Sequence, residues 1–155
     1  MSVTHSEITI ERDYPQTPGQ AFSAFADPAL KEQWFANPGN WSDAEWELDF
    51  RVGGGELNAG GAEAGRHNLF RSRFHDIVDG ERIVYSYDLF HDRRLISVSL
   101  TTVEFQPGEA GGTRLRFTEQ GVFFDGAVAA AEREHGSGKL LDRLGRFLAG
   151  EEGGC

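Results

Sequence analysis

The sequence predicts an α+β fold, in which a curved antiparallel β-sheet wraps around a long C-terminal helix and two short helices follow the first strand. Three observations predict it. From Trp41 to Gln120, apolar and polar residues alternate at the period of half-buried strands. Turn signals such as Asp79-Gly80 arrive at strand-length intervals, as in a meander. Beyond Phe124 the apolar spacing becomes helical.

The elements follow in order. Ile8, Ile10, Arg12 and Tyr14 alternate with Glu7, Thr9, Glu11 and Asp13, and Pro15 ends this first strand. Thr17 is placed to cap a helix starting at Pro18, with Ala21, Phe22 and Phe25 on one face. Asp27-Pro28 stops it and opens a second short helix, 29–35, presenting Leu30, Trp34 and Phe35. Strands are then expected at 44–52, 55–59, 66–78, 82–91, 95–106 and 112–121. In the first of these Trp46, Leu48, Phe50 and Val52 share the inner face; Phe70, Ser72 and Phe74, then Ile83, Tyr85, Tyr87 and Leu89, continue it. Val98 and Leu100 have one parity and Val103 and Phe105 the other, which predicts a bulge between them. Asp125 is the expected N-cap of the last helix, which carries Val128, Ala131, Leu141, Leu144 and Leu148 and spans roughly 25 residues or about 37 Å. Gly136-Ser137-Gly138 interrupts its propensity, so it either kinks there or is held by tertiary packing. Residues 1–150 are expected to form one domain and 151–155 a disordered tail.

Composition narrows the function. A formal net charge of −10 disfavours a phosphate backbone as partner, so nucleic acid is not expected. No run of apolar residues approaches the length of a membrane span, and Met1 to Tyr14 lacks a signal-peptide core; a cytoplasmic location follows as an expectation. The single cysteine, Cys155, offers no internal disulfide, and the five histidines show no metal spacing, so neither metal nor cofactor is expected. Gly53-Gly54-Gly55 sits between strands and does not lead into a helix, which makes it a bend in the sheet and not a phosphate loop.

The excess is aromatic: twelve Phe, three Trp and three Tyr, 12% of the chain. A core this rich in rings is either solid or the wall of a cavity. The candidate ligand-binding residues are Trp34, Trp46, Phe50, Phe70, Phe74, Tyr85, Tyr87, Phe117 and Phe124. Three polar candidates join them. Glu119 shares parity with Leu115 and Phe117, where burial would raise its pKa. Arg12 shares parity with Ile8 and Ile10, so a buried Arg12–Glu119 pair is one arrangement. His135, midway along the last helix, is placed to point into the cavity. No nucleophile elbow or Cys-His pair is present, and no catalytic residue is assigned.

Several stretches resemble one family. Phe25-Ala26-Asp27-Pro28, Gln33-Trp34-Phe35, Phe50-Arg51-Val52-Gly53-Gly54-Gly55, Gly80-Glu81-Arg82-Ile83-Val84-Tyr85-Ser86-Tyr87 and Gly111-Gly112-Thr113-Arg114-Leu115 stand in that order. Together they are similar to the helix-grip fold of the START-like, Bet v-type superfamily, in the branch named for activators of the heat-shock protein 90 ATPase. The resemblance runs from Ile8 to Leu148. It implies a cavity under the last helix and leaves three functions open: binding of a small hydrophobic or aromatic molecule, a polyketide cyclase or aromatase chemistry using Tyr87, Glu119 or His135, and a co-chaperone-like interaction module. A homodimer is also left open. Similar proteins often place Trp after the glycine of the final helix; here Ser137 follows Gly136 and leaves more room beneath it.

Overall fold

The computed structural model describes residues 3–35, 42–61, 68–124 and 127–150. Seven strands form one fully antiparallel sheet in the order β1-β7-β6-β5-β4-β3-β2: β1 Thr4–Tyr14, β2 Ser42–Leu48, β3 Gly55–Gly61, β4 Asn68–Val78, β5 Arg82–His91, β6 Arg94–Pro107 and β7 Thr113–Phe123. Helices α1 (Pro18–Ala26) and α2 (Pro28–Trp34) follow β1, and α3 (Ala127–Leu148) ends the fold. Among the described residues no helix is long and apolar enough to cross a membrane. The expected N-cap Asp125 and the tail 151–155 lie outside the described residues.

Local chemistry explains the helix boundaries. The Thr17 hydroxyl accepts from the Gln20 amide while the Gln20 side chain accepts from the Thr17 amide, a reciprocal capping box in front of Pro18. Asp27 ends α1 and caps α2 by accepting from the Ala29 amide at 3.0 Å. Helix α3 runs continuously through Gly136-Ser137-Gly138, so packing overrides the glycine cost. Part of that packing is at β1. The Tyr14 hydroxyl donates to the Leu141 carbonyl at 2.7 Å, and Gly145 lets the ring approach, since a Cβ there would stand 3.1 Å from Tyr14.

Two expectations are corrected along the strands. β2 stops at Leu48 and the chain turns at 51–54, leaving Val52 57% exposed. The glycine run makes this turn possible, because Gly53 has φ +85° and a Cβ on Gly54 would meet the Asp49 carbonyl at 2.3 Å. β6 has no bulge between Leu100 and Val103, since its register against β7 is unbroken from Ser97 to Pro107. Val98 and Leu100 face outward instead, and Ser97, Ser99 and Thr101 are the buried residues. The pairing shift lies nearer the strand start, opposite Leu89 and Phe90. Ala131, expected on the apolar stripe of α3, is exposed, whereas Leu141 and Leu144 are buried.

The rings divide into two zones. Beneath α1 and α2 they interlock edge to face: Phe22–Phe105 at 5.4 Å, Phe25–Trp34 at 4.9 Å, Phe50–Phe74 at 5.1 Å. This zone encloses a buried ion pair. Lys31 Nζ lies 2.6 Å from Glu56 Oε1 and 4.4 Å from the Phe35 ring centroid, and Trp46 Nε1 donates to Glu56 Oε2. Lys31→Met alone strands a buried carboxylate and should cost about 3–5 kcal/mol in urea unfolding. Lys31→Met with Glu56→Gln should recover most of that loss; a double variant as unstable as the single one would refute this account.

Candidate functional site

The second zone is open. Between the N-terminal half of α3 and strands β4 to β7 lies a cavity of about 530 Å³, within the range of small-molecule sites. Phe70, Tyr85, Tyr87 and Phe117 line the sheet side, Phe35 closes the end next to α2, and Arg133, Gly136, Ser137 and Leu140 form the roof. A groove of similar size, about 580 Å³, runs over the opposite face past Val98 and Leu100. We place the candidate site in the former, because buried polar groups converge there.

Those groups form one network. Glu119, 3% exposed on β7, accepts at Oε1 from the Tyr87 hydroxyl at 2.9 Å and the Thr101 hydroxyl at 2.8 Å. Its Oε2 lies 3.8 Å from Arg133 Nη1, beyond direct hydrogen-bond range. Arg133 Nη1 donates to the Tyr87 oxygen at 2.8 Å, and Nη2 donates to Ser97 Oγ at 2.7 Å. The guanidinium also lies 4.9 Å from the Phe123 ring centroid. Burial pushes the Glu119 carboxyl above its ordinary 4.5, with Thr101, Arg133 and Tyr87 pulling it back. Burial, with the Glu119 charge adding to it, pushes the Tyr87 phenol up, so Tyr87 stays neutral and donates to the carboxylate.

The sequence candidates are sorted by this geometry. Phe70, Tyr85, Tyr87, Phe117 and Glu119 come together around the cavity. Trp34, Phe50 and Phe74 belong to the solid zone, where Trp34 Nε1 donates to the Ala24 carbonyl. Trp46 serves the Lys31–Glu56 pair. Phe124 is 38% exposed, because β7 ends at Phe123 and the ring that turns inward is Phe123. His135 is exposed in a groove between α3 and β1 beside Arg12 and Asp142. Two residues from Arg133 and two from Ser137, it sits on the opposite side of the helix. Arg12 pairs with Asp142 at 2.8 Å, so the expected Arg12–Glu119 pair does not form and Arg133 takes that place.

Arg133 escaped the sequence reading, and it left a signal. Residues 133, 137, 140, 141 and 144 recur at three- and four-residue spacing, so a cation sits in the helix stripe that otherwise faces the core. Ser97, Ser99 and Thr101 share parity with Val103 and Phe105, which marks a polar patch on the buried face of β6. Among the described residues no group of His, Cys, Asp and Glu is placed to hold a metal ion.

Comparison with known proteins now decides the family. Residues 15–149 match the family described as activator of Hsp90 ATPase homolog 1-like protein. The chain belongs to that family. A crystal structure of a protein from Rhizobium loti is 45% identical, with a TM-score of 0.86 over 95% of this chain and 99% of that one. A protein from Rhizobium leguminosarum is 40% identical, with a TM-score of 0.88 over 97% of this chain and 98% of that one. The fold alone is shared with DynU16, a protein of the dynemicin biosynthetic locus, at 14% identity and a TM-score of 0.69; this chain covers 94% of its own length and 48% of that protein. No curated protein matches the sequence.

The raised Glu119 has a consequence for stability. With its folded-state pKa above the unfolded value of about 4.5, the native protein holds this proton more tightly than the unfolded chain does. The resulting stability is full below about pH 4.5 and is lost as pH rises through the native pKa. Relative to Glu119→Gln, the urea midpoint of the wild-type protein should therefore fall across that window; a relative rise would contradict the burial-driven shift.

Proposed function

We propose that the protein binds a small hydrophobic or aromatic molecule in the cavity beneath α3. The observation that carries this reading is the cavity of about 530 Å³ walled by Phe70, Tyr87 and Phe117, with a few polar groups converging on one side. Burying such a ligand contributes roughly 25 cal/mol per Å² of apolar surface, and the Arg133 guanidinium orients a polar group on it. A pocket of this size also supports ligand binding over an interaction module with a filled core.

A second reading, proton transfer on the bound molecule in a cyclase-like reaction, draws on Tyr87 and Glu119. The observation favouring it is a carboxyl raised by burial beside the cavity. His135 has no part in it, being exposed on the far side of the helix.

The site is testable without knowing the natural ligand. N-phenyl-1-naphthylamine, an uncharged dye whose fluorescence rises in apolar surroundings, should bind the wild-type protein saturably. Ser137, 9% exposed on the cavity roof, is the position from which a large side chain fills the space. Ser137→Trp should weaken dye binding by roughly tenfold or more while leaving the urea midpoint unchanged or higher. Undiminished binding by this variant would remove the cavity as the site.

A further inference from the structure

The polar network restricts which aromatic molecules fit, and resting on the cavity reading we infer that the preferred ligand carries one oxyanion, seated on Arg133, and that Glu119 takes up a proton as it binds. Arg133 is the only cation among the described residues lining the cavity, and its side chain is only 14% exposed. Tyr87, Ser97 and, at 3.4 Å, Ser99 each accept one hydrogen bond from its terminal nitrogens, and a guanidinium carries five N–H donors, so donor capacity remains for an oxyanion. A carboxylate or sulfonate on a flat ring system combines that group with the aromatic wall of Phe70, Tyr87 and Phe117.

The proton follows from charge. In the ligand-free cavity Arg133 is balanced by Glu119, and the two stand 3.8 Å apart without a direct hydrogen bond. An arriving anion would place two negative charges around one buried guanidinium, where like charges are poorly screened. Protonating Glu119 removes the conflict. Its Oε1 already accepts from Tyr87 and Thr101, so Oε2 is the oxygen available to the proton. The other groups facing it do not compete for that role. From β5, Tyr85 and Tyr87 are phenols pushed up by burial and neutral. β6 presents the hydroxyls Ser99 and Thr101, and β1 pairs Ile8 against Glu119. From α3 come Arg133 itself and Glu132, which is exposed at the cavity mouth.

Two dyes of the same skeleton separate the possibilities: uncharged N-phenyl-1-naphthylamine and 8-anilinonaphthalene-1-sulfonate, whose sulfonate does not titrate. The wild-type protein should bind the sulfonate more tightly than the neutral dye. The sulfonate Kd should rise with pH, by up to about tenfold per pH unit, across the window between the titration of Glu119 in the free protein and in the complex, as uptake of one proton requires, while the neutral dye shows no such slope. Competition by 2-naphthoate should carry the same slope, which extends the result to carboxylates. Glu119→Gln, neutral at every pH, should abolish the slope and bind the sulfonate at high pH as tightly as the wild-type protein does at low pH. Arg133→Gln should lose the preference for the sulfonate over the neutral dye by roughly tenfold. A flat wild-type profile, a slope that persists in Glu119→Gln, or equal affinity for both dyes overturns this inference and leaves the cavity reading standing. If neither dye binds, the cavity reading fails and this inference with it.

Discussion

The concave face of the sheet is organised by the need to satisfy one buried carboxyl. Glu119 stands on β7 at 3% exposure, and a carboxyl there costs several kcal/mol unless donors and a counter-charge surround it. Three other elements supply them. β5 contributes the Tyr87 hydroxyl, β6 the Thr101 hydroxyl and α3 the Arg133 guanidinium. Apolar side chains at 97, 99 and 101 would leave Arg133 and Glu119 without these partners. The hydroxyls on the inner face of β6 and the cation on the inner face of α3 thus belong to one arrangement. It brings polar groups to the same part of the fold where the rings stop interlocking and space opens.

That arrangement explains what was legible in the sequence. The strand periods, the Thr17 and Asp27 caps and the inward set Phe70, Tyr85, Tyr87, Phe117 and Glu119 depend on side-chain alternation and local hydrogen bonding. Both are written in neighbouring residues. Arg133 and the buried face of β6 depend on which polar groups meet across more than thirty residues of chain, as Arg133 meets Ser97. Read locally, an Arg on a helix is a solvated charge and an outward Val is a core residue displaced by a bulge. The competing principle is that a half-polar cavity inverts the rule: hydroxyls turn in, and Val98 and Leu100 turn out. Trp34, Phe50, Phe74 and Phe124 mark the same limit from the other side. Inward parity does not tell a ring that fills space from one that borders it, and the end of β7 at Phe123 decides which of two adjacent phenylalanines faces in.

The solid and open zones are joined by rings, not separated by a wall. Trp34 meets Phe35 at 5.7 Å, Phe35 meets Phe70 at 5.4 Å and Phe70 meets Tyr87 at 4.6 Å. The packed end fixes α2 and the C-terminal half of α3 through Leu141 and Leu144, and the rest of α3 extends from there over the cavity. A preformed space is then maintained by stability generated elsewhere, which is how a small domain keeps an apolar pocket without collapsing it.

Two buried ion pairs show how far that division goes. Lys31 and Glu56 meet at 2.6 Å, both side chains are under 5% exposed, and the second carboxylate oxygen is taken by the Trp46 indole. Every acceptor is used and the pair lies outside the cavity lining, so it is fixed structure. Arg133 and Glu119 stand at 3.8 Å, beside about 530 Å³ of cavity. Over that difference in distance the Coulomb attraction falls by only about a third, whereas the direct hydrogen bond is lost altogether. The first pair has both carboxylate oxygens engaged and lies away from the cavity. The second is held together by charge and by the Tyr87 hydroxyl between its members, which is the condition under which an incoming ligand can replace one partner of the other.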